Sequence, residues 1–366
     1  MKISEVIKSL SASNAAIKNT ASSEPKEGWY PAYSASGQDV WLPDCRFTQK
    51  GIVVSAVGAR CGKAFKADGK WNICANTHPL SVDETKALRD YCWYMINNED
   101  WWIKGGTAQP FVKVKDSFNR DFNFPPISEQ KIIVSRLDTI QALINQKQLQ
   151  IKRLDELVKA RFVEMFNSET KRESLQNLSI GKSGYGAASA SVPYNPNRPR
   201  YIRITDINDD GTLNNDYVCS INKSDDGAFR LQKGDFLFAR MGATVGKTYY
   251  YRGGNQIFAG YLIRFKLDLE KILPEYLYAY TQTEEYLDWV KLNQSGAAQP
   301  GINAQKYSSL QIPIADIAEQ TEFVYFVKQI DKSKFVLSNE LTMCDFHIRL
   351  IHDRVMHSCI NLRVAQ

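Results

Sequence analysis

The feature that most constrains the fold of this chain is an internal repeat with an offset of 190 residues. Shifting the sequence by that distance places residues 106–110 (Gly-Thr-Ala-Gln-Pro) on residues 296–300 (Gly-Ala-Ala-Gln-Pro). It also places residues 127–130 (Ile-Ser-Glu-Gln) on residues 317–320 (Ile-Ala-Glu-Gln). Each copy then continues into a long stretch without proline or glycine. The repeat therefore predicts a duplicated protein with two equivalent halves.

Both long stretches carry apolar residues at alternating steps of four and three, which is the heptad period of a coiled coil. We call these positions the seam: Ile133, Leu137, Ile140, Ile144, Ile151, Leu154 and Val158 in the first stretch, and Phe323, Val327, Ile330, Leu337, Leu341 and Ile348 in the second. Lys147, Arg161 and Lys334 interrupt the seam, as polar residues that fix the register of coiled coils often do. The first stretch predicts a helix of about 40 residues, roughly 60 Å long at 1.5 Å per residue.

The duplication continues through the segments that precede the two long helices. Residues 58–63 (Gly-Ala-Arg-Cys-Gly-Lys) match residues 242–247 (Gly-Ala-Thr-Val-Gly-Lys). Short strand-like runs dominate both segments, and helices are predicted at residues 86–102 and 274–292. Each half thus has the same order of strands, a helix, a Gly-x-Ala-Gln-Pro turn and a long helix. The predicted fold class is α+β, with two β-rich domains and an internal pseudo-two-fold repeat.

Four segments follow from this order. We expect a first β-rich domain at residues 1–124 and a long helix at residues 125–167. A second β-rich domain is expected at residues 168–312, and a final long helix at residues 313–366. At 366 residues the chain is long enough for each domain to bury a core.

Composition limits the class of protein without deciding it. The net charge of +6 is compatible with nucleic-acid binding but too small to establish it. No apolar run approaches the roughly 20 residues of a membrane span, and the first residues lack the apolar core of a signal peptide. The seven cysteines are scattered and form no Cys-x-x-Cys pair. These features predict reduced thiols and a cytoplasmic location.

No catalytic or metal-binding constellation is present in the sequence. Residues 242–248 place three residues between two glycines where a phosphate loop has four, so a turn is the better interpretation. His347, His352 and His357 are spaced by five residues and would not share one face of a helix. We therefore predict no catalytic residue, no metal and no cofactor in this chain, and a binding function.

Basic, amide and aromatic side chains in the two β-rich domains are the candidate DNA contacts. Arginine and glutamine can pair bidentately with guanine and adenine edges, whereas lysine favours phosphate. The candidates are Tyr30, Arg60, Lys63, Gln109 and Lys113 in the first domain, and Arg200, Tyr201, Arg203, Arg240, Lys247, Gln299 and Lys306 in the second.

Together these features closely resemble the specificity (S) subunit of type I restriction–modification systems. The resemblance covers nearly the whole chain and keeps one order of motifs in both halves. In the first half it rests on residues 30–37 (YPAYSASG), 58–62 (GAxxG), 106–110 (GxAQP) and 124–130 (FPPISEQ) with the helix that follows. In the second half it rests on residues 201–207 (YIRITDI), 234–240 (GDFLFAR), 242–246 (GATVG), 296–303 (GxAQPGIN) and 312–320 (IPIADIAEQ) with the final helix.

The resemblance implies a mechanism. Each β-rich domain would be a target-recognition domain that reads one half of a bipartite site in double-stranded DNA. The two long helices would pack antiparallel and set the spacer between the half-sites. Two methylation subunits would dock on the chain, and restriction subunits would join that core. S-adenosylmethionine would then bind the methylation subunit, and ATP and Mg would bind the restriction subunit.

Two alternatives from other classes stay open at this point. A coiled-coil scaffold that binds only proteins would explain the long helices but not the duplicated domains. A DNA-modifying enzyme acting alone would need a cofactor site that the sequence does not contain. Salt-dependent binding to a bipartite DNA site separates the scaffold from the DNA reader, and binding of S-adenosylmethionine by the chain alone identifies the enzyme.

Overall fold

A computed structural model describes residues 1–11, 15, 20–166, 170–222, 227–296 and 300–360, with side chains described as far as Asp353. The chain divides into two compact units. Unit 1 comprises Met1–Gln148 with Asn339–Gln366, and unit 2 comprises Leu149–Ser338. Each unit therefore contains one β-rich domain and one part of each long helix.

Among the described residues of unit 1, nine strands form the β-rich part. They are β1 (Ile7–Ser9), β2 (Tyr30–Ser34), β3 (Gly37–Leu42), β4 (Gly51–Ser55), β5 (Ala64–Ala67), β6 (Asn72–Ile73), β7 (Thr77–Val82), β8 (Lys104–Gly105) and β9 (Phe111–Val112). One sheet has the order β1-β7-β4-β5, a second has the order β3-β2-β6, and β8 pairs with β9. All five residues of β4 are buried, which is typical of a central strand covered on both faces.

In the described part of unit 2, ten strands form the corresponding region. They are β10 (Arg172–Ser174), β11 (Gly184–Tyr185), β12 (Ser191–Pro193), β13 (Arg200–Ile202), β14 (Cys219–Ile221), β15 (Asp235–Ala239), β16 (Thr248–Tyr250), β17 (Gln256–Phe258), β18 (Leu262–Lys266) and β19 (Gln311–Pro313). The sheets have the orders β11-β18-β15-β16, β12-β14-β13-β17 and β10-β19. All five residues of β15 are buried, as in β4.

The two β-rich parts share one topology. In both, a buried central strand pairs antiparallel with a neighbour on each side, β4 with β5 and β7, and β15 with β16 and β18. In both, a second sheet contains one parallel pair, β2 with β6 and β13 with β17. The internal duplication and the α+β class predicted from the sequence are confirmed.

The short helices match the two that were predicted only in part. They are α1 (Arg89–Ile96), α2 (Val114–Phe118), α4 (Pro274–Tyr280), α5 (Glu284–Asn293) and α6 (Ala304–Ser308). The helix predicted at residues 86–102 ends early because the side chain of Asn97 accepts a hydrogen bond from the Ala64 amide and that of Asn98 caps a following 3-10 turn. The helix predicted at residues 274–292 is two helices, since the hydroxyl of Thr283 caps the start of α5.

The long helices are α3 (Ile127–Met165) and α7 (Ile317–Ile360). The seam positions of both helices are buried or half-buried. None of the helices in the described part of the chain combines the length and the apolar character of a membrane span.

In each unit the two long helices run antiparallel. In unit 2 the Phe162 and Phe323 rings lie 5.4 Å apart, and the Lys334 ammonium lies 2.6 Å from the Asp155 carboxylate. The later residue of α3 thus contacts the earlier residue of α7, which shows that the helices are antiparallel. In unit 1 Lys147 pairs with Glu340 at 2.5 Å. Lys147 and Lys334, which interrupt the seam in the sequence, thus each find an acidic partner on the facing helix.

Charge reversal at Lys334 tests the register of the pair in unit 2. We expect Lys334→Glu to lower the free energy of unfolding by about 1 kcal/mol, because the Lys334–Asp155 pair is partly exposed and such pairs are weak. Adding Asp155→Lys should restore the loss. Urea unfolding followed by circular dichroism measures both effects. Lys332→Glu, an equal charge change at an exposed position of the same helix, is the control, and an equal loss there would contradict the assigned register.

Candidate nucleic-acid interface

The two motifs that repeat outside the long helices meet at the end of the central strand in each unit. The Gly58 amide donates a hydrogen bond to the Pro110 carbonyl at 2.8 Å, and the Gly242 amide donates to the Pro300 carbonyl at 2.9 Å. We call this region the turn junction, which comprises residues 56–63 and 106–113 in unit 1 and residues 240–247 and 300–302 in unit 2. Both motifs are evident in the sequence repeat, whereas their contact is not.

Backbone bonds on the far side of the prolines complete the junction. The Val112 amide donates to the Ala56 carbonyl at 3.0 Å, and the Ile302 amide donates to the Arg240 carbonyl at 2.9 Å. Gly58 and Gly242 have φ angles of +98° and +71°. These angles favour glycine, which explains why both copies keep it.

In unit 1 the junction brings together most of the predicted DNA contacts. Arg60 is exposed on the turn after Gly58, Gln109 is exposed beside Pro110, and Lys113 is exposed just after β9. Lys63 is half-buried at the end of the same turn. Tyr30 lies apart from them at the start of β2, with the Lys70 ammonium 5.7 Å from its ring.

In unit 2 two lysines at or near the junction are already bound by the protein. The Lys247 ammonium lies 2.7 Å from the Asp209 carboxylate, and the Lys306 ammonium donates to the Asn293 carbonyl at 2.6 Å. Both side chains are half-buried. Gln299, the third candidate of this region, lies outside the described residues.

Tyr201 was predicted as a DNA contact, and the structure corrects this. Its side chain is 3% exposed, and its hydroxyl donates to the Ala187 carbonyl at 2.7 Å. Burial raises the pKa of this phenol above its usual value. Side chains alternate between the two faces of a sheet, and Tyr201 lies on the face of β13 that packs in a buried cluster with Ala187 and Ile257. The ring of Tyr201 therefore packs in the core instead of lying on the surface.

Arg200 and Arg203, on either side of this strand, have local partners. Arg203 donates to both carboxylate oxygens of Asp206, at 2.7 and 3.1 Å. This hydrogen bond to Asp206 raises the pKa of the Arg203 guanidinium. Arg200 donates to the Asn215 amide oxygen at 2.8 Å and to the Asn214 carbonyl. Either arginine would have to exchange these bonds to contact DNA.

Arg240 lies between two tyrosines that sequence analysis did not single out as contacts. Its guanidinium carbon is 4.9 Å from the Tyr185 ring centroid and 5.8 Å from the Tyr261 ring centroid. Tyr185 and Tyr261 are 46% and 53% exposed. A β carbon at Gly186 would lie 2.3 Å from the Ala259 carbonyl oxygen, so only glycine allows this close approach beside Tyr185. In the sequence, only the Gly-Tyr-Gly pattern at residues 184–186 could have indicated that Tyr185 lies at a close approach of two backbone segments.

No cluster of histidine, cysteine, aspartate and glutamate side chains that could hold a metal ion occurs among the described residues. What the junctions present is a set of arginine, lysine, glutamine and tyrosine side chains at the ends of central strands. Such side chains make hydrogen bonds to phosphates and base edges.

The sequence of the chain matches a known protein family. The family model described as the type I restriction modification DNA specificity domain matches residues 1–153 and 161–342. The chain belongs to this family. The two matched stretches correspond to the two copies of the duplicated fold, and the family predicted from the sequence is confirmed.

Relatives of the chain include specificity subunits of type I restriction enzymes. The chain is 23% identical over 290 residues to the specificity subunit of the type I restriction enzyme EcoBI of Escherichia coli, and this match covers 69% of the chain and 60% of the relative. It is 22% identical over 349 residues to the EcoDI specificity subunit of Escherichia coli, covering 86% of the chain and 78% of the relative. The match to the EcoBI subunit thus spans less than two thirds of that protein.

Solved structures share the fold along the chain. The S subunit of a type I restriction–modification system from M. genitalium matches with a TM-score of 0.54 and 13% identity, covering 97% of this chain and 95% of that one. A chain from a structure concerned with complex assembly and conformational transition of the type I R-M system matches with a TM-score of 0.54 and 14% identity, covering 97% and 96%. At these identities the likeness concerns the fold alone.

Proposed function

We propose that this chain is the sequence-reading subunit of a type I restriction–modification complex. Each β-rich domain reads one half of a bipartite site in double-stranded DNA, and the chain itself performs no chemistry. The observation that carries the proposal is the match of the DNA specificity family to both copies of the duplicated fold. The exposed Arg60, Gln109 and Lys113 at the junction of unit 1 and Arg240 at that of unit 2 support it.

The long helices set the distance between the half-sites in this proposal. A helix of 39 residues is about 58 Å long at 1.5 Å per residue. This is longer than the 34–36 Å that separates successive turns of DNA on one face. Antiparallel packing in each unit, with Lys147 and Lys334 bound to facing acids, supports a fixed register and hence a fixed spacer.

Docking of two methylation subunits is the second part of the proposal. Tyr325, Phe335 and Val336 are exposed on α7 of unit 2, and exposed apolar side chains of this kind are typical of protein interfaces. Restriction subunits would join the resulting core. S-adenosylmethionine would bind the methylation subunits, and ATP and Mg would bind the restriction subunits, in the cytoplasm where the DNA lies.

Mapping DNA methylation tests the proposal. The chain is expressed with its methylation subunit in a host without adenine methylation, and modified adenines are located by single-molecule sequencing. We expect one bipartite motif with a constant gap, methylated on both strands. The methylation subunit expressed without the chain is the control and should give no such motif.

Other outcomes of this experiment favour the alternatives. An assembled complex that leaves the DNA unmethylated, and that does not retain any DNA sequence in a binding selection, would support a protein-binding scaffold. Methyl transfer by the purified chain alone would support an independent enzyme and contradict the proposal.

A further inference from the structure

Arg240 is held in place by both its backbone and its side chain. Its amide donates to the Tyr261 carbonyl at 3.0 Å, and its carbonyl accepts from the Ile302 amide at 2.9 Å. The side-chain Nε donates to the Gly260 carbonyl at 3.2 Å. With the Tyr185 and Tyr261 rings near the guanidinium, few rotamers of Arg240 remain available.

The terminal nitrogens of Arg240 differ from those of the other basic candidates in unit 2. Arg203 and Lys247 are paired with carboxylates, and Lys306 is bound to a carbonyl. By contrast, the two Nη groups of Arg240 have no hydrogen-bond or carboxylate partner in the part of the chain that the structure describes. The guanidinium therefore keeps a pair of parallel donors available while its Nε is occupied.

We propose that Arg240 reads a guanine in the half-site of the second domain, with Tyr185 and Tyr261 as positioning residues. This inference rests on the proposed function and specifies its chemistry. Two parallel N–H donors match the O6 and N7 acceptors that guanine presents in the major groove. The aromatic rings restrict the motion of the Arg240 guanidinium before DNA binds, which lowers the conformational entropy lost on binding. Because no carboxylate has to be displaced, the interaction costs less than it would at Arg203.

The first domain has no arginine between aromatic rings at the position equivalent to Arg240. In unit 1 the Ala56 amide donates to the Asn76 carbonyl at 2.8 Å, as the Arg240 amide does to that of Tyr261. Ala56 and Asn76 therefore occupy the places of Arg240 and Tyr261 in the shared topology. The same backbone frame carries an arginine and a tyrosine in one domain and neither in the other. The two domains should consequently prefer different half-sites.

A binding selection on randomised half-sites tests the inference. The complex of this chain with its methylation subunit is compared with complexes carrying Arg240→Ala, Arg240→Lys and, as the matched control in the other domain, Arg60→Ala. We expect Arg240→Ala to reduce the preference for guanine at one position of one half-site by about 5- to 150-fold, the range of a good bidentate pair. Arg240→Lys keeps the positive charge but not the pair of parallel N–H donors, and it should lose most of the preference for guanine. Arg60→Ala should leave that position unchanged.

An experiment on the unmodified protein complements the variants. Replacing the selected guanine with 7-deazaguanine removes the N7 acceptor and retains base pairing. This change should weaken binding of the wild-type complex and should weaken binding of the Arg240→Ala complex little further. Tyr261→Phe should behave as wild type, whereas Tyr261→Ala should lose part of the preference.

Two results would overturn the inference. Equal weakening at every position after Arg240→Ala would make Arg240 a phosphate contact, and a wild-type selection without a guanine sensitive to 7-deaza substitution would exclude guanine reading. Failure of the proposed function itself is recognised separately, because the wild-type complex would then select no sequence at all.

Discussion

Replacing Phe162 with alanine is expected to lower the free energy of unfolding of unit 2 by about 4 kcal/mol. Phe162 is 1% exposed, and its ring lies 5.0 Å from Tyr276 and 5.4 Å from Phe323. It thus joins α3 to both α4 and α7. Alanine would leave a cavity among side chains that belong to three different helices and cannot easily close it.

The duplication supplies the control for this variant. The offset of 190 residues places Phe162 on His352 and Phe323 on Ile133. In unit 1 His352 and Ile133 line a small cavity of about 30 Å³, where unit 2 has packed aromatic rings. His352→Ala should therefore cost only about 1 kcal/mol, because a smaller and less tightly packed side chain is removed.

Hydrogen exchange measured by mass spectrometry distinguishes the two variants locally. Phe162→Ala should increase exchange in α4 and leave α1 unchanged, whereas His352→Ala should affect α1 weakly. A change in α4 no larger than that produced in α1 by His352→Ala would contradict the role assigned to the aromatic cluster. The comparison needs no assumption that the whole chain unfolds in one step.

The same region marks the limit of what the heptad pattern could predict. The pattern placed Arg161 in the line of the seam, but Arg161 is half-buried and its guanidinium binds Glu164 at 2.9 Å. Phe162 and Phe166 are buried instead. A step of four residues after Val158 turns the buried face of α3 away from the coiled-coil line and towards α4. The repeat within one helix is local information, whereas the position of α4 depends on packing between distant segments.

The candidate interface was predictable to a similar degree. Residue type and the two repeated turns indicated Arg60, Gln109 and Arg240, and the structure places all three at the turn junctions. Long-range contacts decided the rest. Tyr201 is buried, and Tyr185 comes near Arg240 across 55 residues of sequence, a juxtaposition that follows from the pairing of β11 with β18. Pairing of distant strands leaves little trace in one sequence.

Gln320 and Gln130, the last residues of the repeated Ile-x-Glu-Gln motif, support the second large prediction. Both side chains are fully buried. The Gln320 amide oxygen accepts from the Leu273 amide at 2.9 Å, and its nitrogen donates to the Lys271 and Ala315 carbonyls at 2.8 and 2.9 Å. Leu273 is the residue that precedes α4, so one side chain fixes the start of α7 against the start of a domain helix.

Gln130 makes the equivalent bonds in unit 1. Its oxygen accepts from the Leu88 amide at 2.8 Å, and its nitrogen donates to the Pro125 carbonyl at 2.8 Å and to the Lys86 carbonyl at 3.4 Å. Leu88 precedes α1 as Leu273 precedes α4. An identical use of the same residue in both units explains why this glutamine recurs in the repeat.

We expect Gln320→Ala to lower the free energy of unfolding of unit 2 by about 3 kcal/mol, because it leaves a buried amide and two carbonyls without partners. Hydrogen exchange should increase at Leu273 and along α4 but not along α1. Gln130→Ala should produce the opposite pattern, so each variant is the control for the other. Equal effects of either variant on both helices would contradict a local role.

Gln320→Glu tests whether the side chain at position 320 is buried against carbonyl acceptors. The introduced carboxylate is nearly the same size but cannot donate to the Lys271 and Ala315 carbonyls, and burial among acceptors should raise its pKa above that of the unfolded chain. Below the unfolded pKa of about 4.3 the protonated side chain can keep one of the two donated hydrogen bonds, and the variant loses stability as the pH rises towards the folded pKa. A denaturation midpoint that falls relative to wild type between pH 4 and 8 would show that residue 320 is buried against the Lys271 and Ala315 carbonyls, which accept from the native amide. A midpoint that stays constant over this range would mean that the side chain at position 320 reaches water, and would contradict the buried contacts assigned to Gln320.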